Sequence, residues 1–152
     1  MLIAQPVSLL SRSYLVTDIH GERVAELAIS LIKEGARLLM DDKVFRIERE
    51  GLVSGPWQLK EGNEVRLEAS PVAMIKGRFE MSVKGASLEL APIDGSSKGF
   101  TVVGPDWNDL GTISKPSLLS RRLKIELSEL VPQQAQLFFL FLSLVLWSPG
   151  PH

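Results

Sequence analysis

The chain has 152 residues, 45% of them hydrophobic and 23% charged, with a net charge of −1 and no cysteine. That length fits one domain, residues 1–152, with room for its own core. The near-neutral charge gives no general argument for nucleic acid or an anionic surface, and the missing cysteines remove disulfides, thiol nucleophiles and cysteine-based zinc sites, which suits a cytoplasmic location.

The first segment, Met1–Arg12, is mildly apolar, has no basic start and is interrupted by Gln5-Pro6. It reads as a strand or arm packed on the domain rather than a signal peptide. Asp18-Ile19-His20-Gly21 reads as a turn between strands, with His20 hydrogen-bonded there rather than catalytic. The stretch from Glu22 to Gly35 is ambiguous. Val24, Leu27, Ala28 and Leu31 fit one helical face with Gly35 as a cap. Ala25, Leu27, Ile29 and Leu31 equally fit one strand face, although Ala, Glu and Leu favour a helix locally. Asp41-Asp42 looks like a tight turn between Ala36–Met40 and Lys43–Glu50, where Phe45 and Ile47 share a face. Alternation continues in Glu64–Glu68, with Val65 and Leu67 on one side, and in Arg78–Val83, with Phe79, Met81 and Val83 together. Ser87–Leu90 and Lys124–Leu127 repeat the pattern, and Gly99–Val103 and Leu110–Ile113 read as shorter strands. Period-two alternation means one buried and one wet face. Short strands punctuated by turn residues predict a meander closing into a sandwich or barrel.

The C-terminal segment differs. From Leu137 to Trp147 only Ser143 is not apolar, so a helix here is apolar all round. Such a helix must be buried on every side or lie in lipid. Leu137–Trp147 reaches about 16 Å at 1.5 Å per residue, against a hydrocarbon core near 30 Å. The expectation is therefore no transmembrane span. Pro132 suits a first helical position, and Pro149-Gly150 ends the helix. If strands surround it, the helix is the core.

That arrangement, and three stretches within it, resemble the tubby C-terminal domain superfamily, which includes tubby proteins, phospholipid scramblases, LURP-one-related proteins and small bacterial relatives. Val44–Gly51 looks like its early hairpin strand, Phe79–Gly85 like its central strand and turn, and Leu110–Lys115, followed later by the apolar helix, like the closing segment of scramblases. The resemblance covers roughly Tyr14 to Trp147. It implies a closed antiparallel β-barrel of about twelve strands around a buried hydrophobic C-terminal α-helix. It also implies that Glu22–Lys33 is a strand despite its helical propensity.

The chemistry of the chain is sparse. His20 and His152 are the only histidines, and there is no nucleophile elbow, HExxH or Walker loop. Gly95–Gly99 lacks phosphate-loop spacing and reads as a hairpin tip. Asp106–Gly111 resembles half of a calcium loop, but Leu110 and Ser117 occupy positions that need oxygen ligands. The segment Pro116–Leu130 lacks the Asp cluster of scramblases. No metal, cofactor or catalytic residue is expected. Trp57 and Trp107 both follow Gly-Pro turns and read as plugs of the barrel ends, the alternative being an exposed membrane-interface or partner site.

Tubby domains hold phosphoinositide headgroups through a basic pair on a strand before the central one. Arg66 matches, but Glu68 stands where the second base would be. The resemblance thus implies a lipid-headgroup site at Arg66, to which the bases nearest the matching strands, Lys76, Arg78 and Lys84, are added; the alternative for these is a solvated strand face. The functional expectation is a non-enzymatic, monomeric binding module, peripheral to an anionic lipid surface or bound to a protein partner, with no nucleic acid. The alternative is a scramblase-like protein whose last helix inserts in the membrane.

Overall fold

The structure is a computed structural model and describes residues 1–8, 12–30, 35–50, 55–72, 77–93, 99–117 and 120–147. Twelve strands form one closed antiparallel barrel. In chain order they are β1 Leu2–Pro6, β2 Ser13–Thr17, β3 Arg23–Ser30, β4 Gly35–Met40, β5 Lys43–Arg49 and β6 Trp57–Glu61. They continue as β7 Glu64–Pro71, β8 Phe79–Val83, β9 Ala86–Pro92, β10 Gly99–Val103, β11 Asp109–Ser114 and β12 Leu123–Leu127. Each strand pairs with its neighbours in sequence. The ring shuts where β1 meets β12, at Leu2↔Ile125, Ile3↔Lys124 and Ala4↔Leu123. A closed ring leaves no terminal edge strand.

Two-residue turns set several registers. Asp41 and Asp42 both have positive φ (53° and 58°), as do Lys84 and Gly85 (49° and 82°). Paired positive φ is the primed turn whose twist matches right-twisted strands, and Asp and Gly tolerate it well.

The segment with helical propensity is β3. It pairs with β2 from Ala28↔Ser13 to Arg23↔Thr17 and with β4 from Ala25↔Met40 to Ser30↔Gly35. Ala25 and Leu27 point into the core. Backbone pairing on both sides outweighs a few tenths of a kcal/mol per residue of helix preference. Residues 31–34, at the end of the expected strand, lie outside the described residues.

Inside the ring runs α1, Gln133–Trp147. Every residue from Leu137 to Leu144 is buried, which covers all sides of two helical turns. Each buried Leu or Phe contributes about 1.5–3 kcal/mol relative to exposure. The Phe141 ring meets Trp57 edge-on at 5.0 Å, and Trp147 meets Phe100 at 4.9 Å. Ser143 is the one polar side chain in the buried stretch, and its hydroxyl donates to the Phe139 carbonyl at 2.8 Å. Uniform apolarity thus has a structural cause: the helix has no wet side. At the start of α1 the Gln136 amide donates to the Pro132 carbonyl at 3.0 Å. The stop signal Pro149-Gly150 lies outside the described residues.

Because the strands alternate in direction, the barrel has two rims. We call upper the rim at which β12 finishes and α1 enters. It also carries the β2–β3, β4–β5, β6–β7, β8–β9 and β10–β11 connections.

Candidate functional site

The barrel wall is irregular at β7. Leu59 of β6 opposes Leu67, but the next residue, Lys60, opposes Val65. Arg66 is therefore an extra residue, a β-bulge. The bulge corrects the expected alternation: Leu67 stays partly buried against the core, whereas Val65 turns outward, 44% exposed. A bulged strand bends and often terminates pairing beyond the extra residue.

The other edge of β7 shows that effect. β7 pairs with β8 only at Ala69↔Met81, Ser70↔Glu80 and Pro71↔Phe79. Yet β7 starts at Glu64, and β8 runs on to Val83 while still pairing with β9. The β6–β7 and β8–β9 hairpins diverge toward the upper rim and leave a cleft of about 420 Å³ between them. Its apolar lining is Val65, Leu67 and Met81, and its polar lining includes Ser82 and Ser87. Unpaired strand backbone on both banks leaves donors and acceptors available to a ligand.

The charges around this cleft favour neither a phosphate nor a carboxylate ligand. Arg66 donates to Glu61 Oε1 at 3.0 Å and lies 3.3 Å from Glu64 Oε1. Glu68 accepts a hydrogen bond from Gln58 Nε2 at 2.8 Å, and among the described residues neither Glu68 nor Glu80 has a cationic partner. The guanidinium is neutralised and the two carboxylates are not, so the local potential is acidic.

The expected headgroup residues are scattered around this feature. Arg66 is the bulge itself. Lys84 sits on the exposed β8–β9 turn, at the same end of the cleft. Arg78 precedes β8 at its other end and is paired with Glu89 at 3.2 Å. Six residue steps of nearly extended chain lead from Arg78 to Lys84, roughly 20 Å at about 3.3 Å per step. Lys76 lies outside the described residues. The described bases do not converge on one point, and two of the three are already neutralised. Sequence reasoning found Arg66 but missed the cleft, because a bulge without glycine leaves perfect alternation in the text of Glu64–Glu68.

The two Gly-Pro tryptophans separate. Trp57 is a plug: its ring is buried against Phe141, with Arg49 stacked 4.8 Å from its centroid. Trp107 is not, at 76% exposed. It sits in the β10–β11 connection with φ of 60°, next to Asp106 at 59°. Asp tolerates this region, whereas a bulky Trp held there costs on the order of 1–3 kcal/mol. The connection is closed by Gly104 N–H donating to the Asn108 carbonyl at 2.8 Å. Asp109 accepts from the Gly111 amide at 2.9 Å, as a turn-capping side chain does. His20 lies in an exposed turn where its backbone N–H donates to Asp18 Oδ1 at 2.8 Å. Among the described residues no group of three or more His, Asp or Glu side chains could hold a metal ion.

No described helix is long and apolar enough to cross a membrane. Comparison with protein-family models, with curated proteins and with solved structures finds no match.

Proposed function

We propose that this chain is a non-enzymatic binding module that accepts an extended segment of a protein partner in the cleft between β7 and β8. The observation that carries the reading is the interrupted seam. Both strands continue past Ala69↔Met81 without pairing to each other. An added strand would find backbone hydrogen bonds on the two banks and a side-chain position against the partly buried Leu67. The carboxylates of Glu68 and Glu80, which have no cationic partner among the described residues, favour a segment that carries Lys or Arg. The twelve-strand barrel around a helix is compatible with the resemblance to tubby C-terminal domains. The lipid half of that expectation draws less support, since Arg66 and Arg78 are held by Glu61, Glu64 and Glu89. An inserting helix draws less still, because removing α1 would empty the barrel of its core.

The test is selection of heptapeptides from a random library against the whole chain, followed by affinity measurement on the best binders. Selected peptides should carry Lys or Arg, compete with one another and lose at least tenfold in affinity to a Ser87→Trp variant, which fills the cleft. Arg37→Trp, on the exposed face of β4, should leave affinity unchanged. Peptides that bind wild type and Ser87→Trp equally would sink the reading.

A further inference from the structure

Trp107 is one of three apolar side chains that separate, ordered turns hold in water on the upper rim. Ile19 is 63% exposed on the β2–β3 turn, and Leu130 is 80% exposed between β12 and α1. Around the barrel β11, β12, β1 and β2 are consecutive. Three interstrand spacings of about 4.8 Å place these turns within a patch roughly 15–20 Å across.

None of the three is a loose end. The Ile19 turn is held by Asp18, whose Oδ1 accepts the His20 and Glu22 amides at 2.8 and 3.0 Å. The Leu130 amide donates to Ser128 Oγ at 3.1 Å, and the Ser128 amide donates to the Leu110 carbonyl at 2.7 Å. The Trp107 connection is closed as described above. Scattered single exposed apolar residues need no explanation, but a group of them rimmed by polar residues is the pattern of an interaction site.

The charge around them selects the partner. Asp18, Glu22, Asp106 and Glu129 lie on these same turns, and Asp109 opens β11 beside Trp107. Arg23, the only Lys or Arg there, is bonded to Glu26 Oε2 at 2.8 Å. Such a rim repels an anionic bilayer and attracts cationic groups. We infer that the upper rim, through Ile19, Trp107 and Leu130 inside an acidic fringe, docks a basic, apolar-studded segment of another protein. This surface is separate from the β7–β8 cleft and stands without it.

Trp107 reports on its own occupancy, because Trp57 is buried and Trp147 is partly buried against Phe100 and Lys115. The probes are a peptide alternating Lys and Leu, its Glu and Leu counterpart, and vesicles of phosphatidylcholine with and without phosphatidylserine. The Lys/Leu peptide should bind saturably, move the Trp107 emission to the blue and weaken with salt. Ile19→Ser/Leu130→Ser keeps the reporter and the backbone anchors, and should weaken binding at least tenfold, as should Glu22→Lys/Glu129→Lys. The Glu/Leu peptide should not bind. No binding of the Lys/Leu peptide, or equal binding by wild type and both variants, would overturn the inference. So would a blue shift on phosphatidylcholine vesicles alone, which would make the rim a membrane contact instead.

Discussion

The β4–β5 seam and the β7–β8 seam belong to the same barrel and close differently. β4 and β5 pair without a break over six positions, from Gly35↔Glu48 to Met40↔Lys43. β7 and β8 pair over three and then part. The inner faces do not explain the contrast, since Leu38 and Phe45 are buried at one seam and Ala69 and Met81 at the other. The bulge at Arg66 does: one unopposed residue tilts β7 away and turns Val65 to solvent. Strand closure is thus set by backbone register as much as by hydrophobicity, and a barrel can open a binding cleft without losing its core.

The shared core gives the largest effect. Leu140→Asp places an unpaired charge in the middle of α1, fully buried. It should cost several kcal/mol and unfold both seams together. Chemical denaturation followed by circular dichroism would show it. If the β7–β8 seam melted while β4–β5 stayed folded, the two would not share one core. Next comes a paired comparison. Leu38→Ala, beneath the complete seam, should cost about 2–5 kcal/mol. Leu67→Ala, only half buried beside the cleft, should cost under about 1.5 kcal/mol by the smaller area lost. Equal losses in urea titrations would mean that Leu67 is not at an open site.

Deleting Arg66 makes the seams alike. The strand would regain simple alternation, with Val65 still opposite Lys60 and pairing with β8 free to run on. Stability should change by no more than about 1 kcal/mol, as for surface changes with small compensations. The variant should lose the peptide binding that wild type shows. Retained binding would place the ligand elsewhere.

The smallest effect lies away from both seams. Burial pushes the Lys115 ammonium below its ordinary value of 10.5, where it stacks 4.5 Å from the Trp147 centroid. The folded state releases this proton before the unfolded one does. Stability should therefore rise as pH climbs from the lowered value toward 10.5. Lys115→Met should flatten that rise in thermal melts, and an unchanged slope would show that the lysine is not desolvated.

Much of the fold was legible because the helix and most strands carry their burial in their patterns. Phe79, Met81 and Val83, or Ile125 and Leu127, alternate in the sequence and are buried in the barrel. The strand at Arg23–Ser30 was readable only through the resemblance, since its pattern serves a helix equally well. The candidate site was barely legible. Arg66 stood out by its charge, but its bulge depends on the register with β6, which no local pattern records. Trp57 and Trp107 share Gly-Pro turns, yet one is buried and the other is lifted into water by positive φ at Asp106 and Trp107. Tertiary closure, not local chemistry, separates them.

Amide hydrogen exchange, resolved by residue, tests the open seam most directly. Amides of Val65–Glu68 and of Ser82–Val83 that point into the cleft should exchange orders of magnitude faster than those bridging β4 and β5, because unpaired strand amides need no opening. Binding of a selected peptide should slow these cleft amides and leave the β4–β5 amides unchanged. Equal protection of both seams in the free protein would contradict the account, for it would mean that β7 and β8 are already closed.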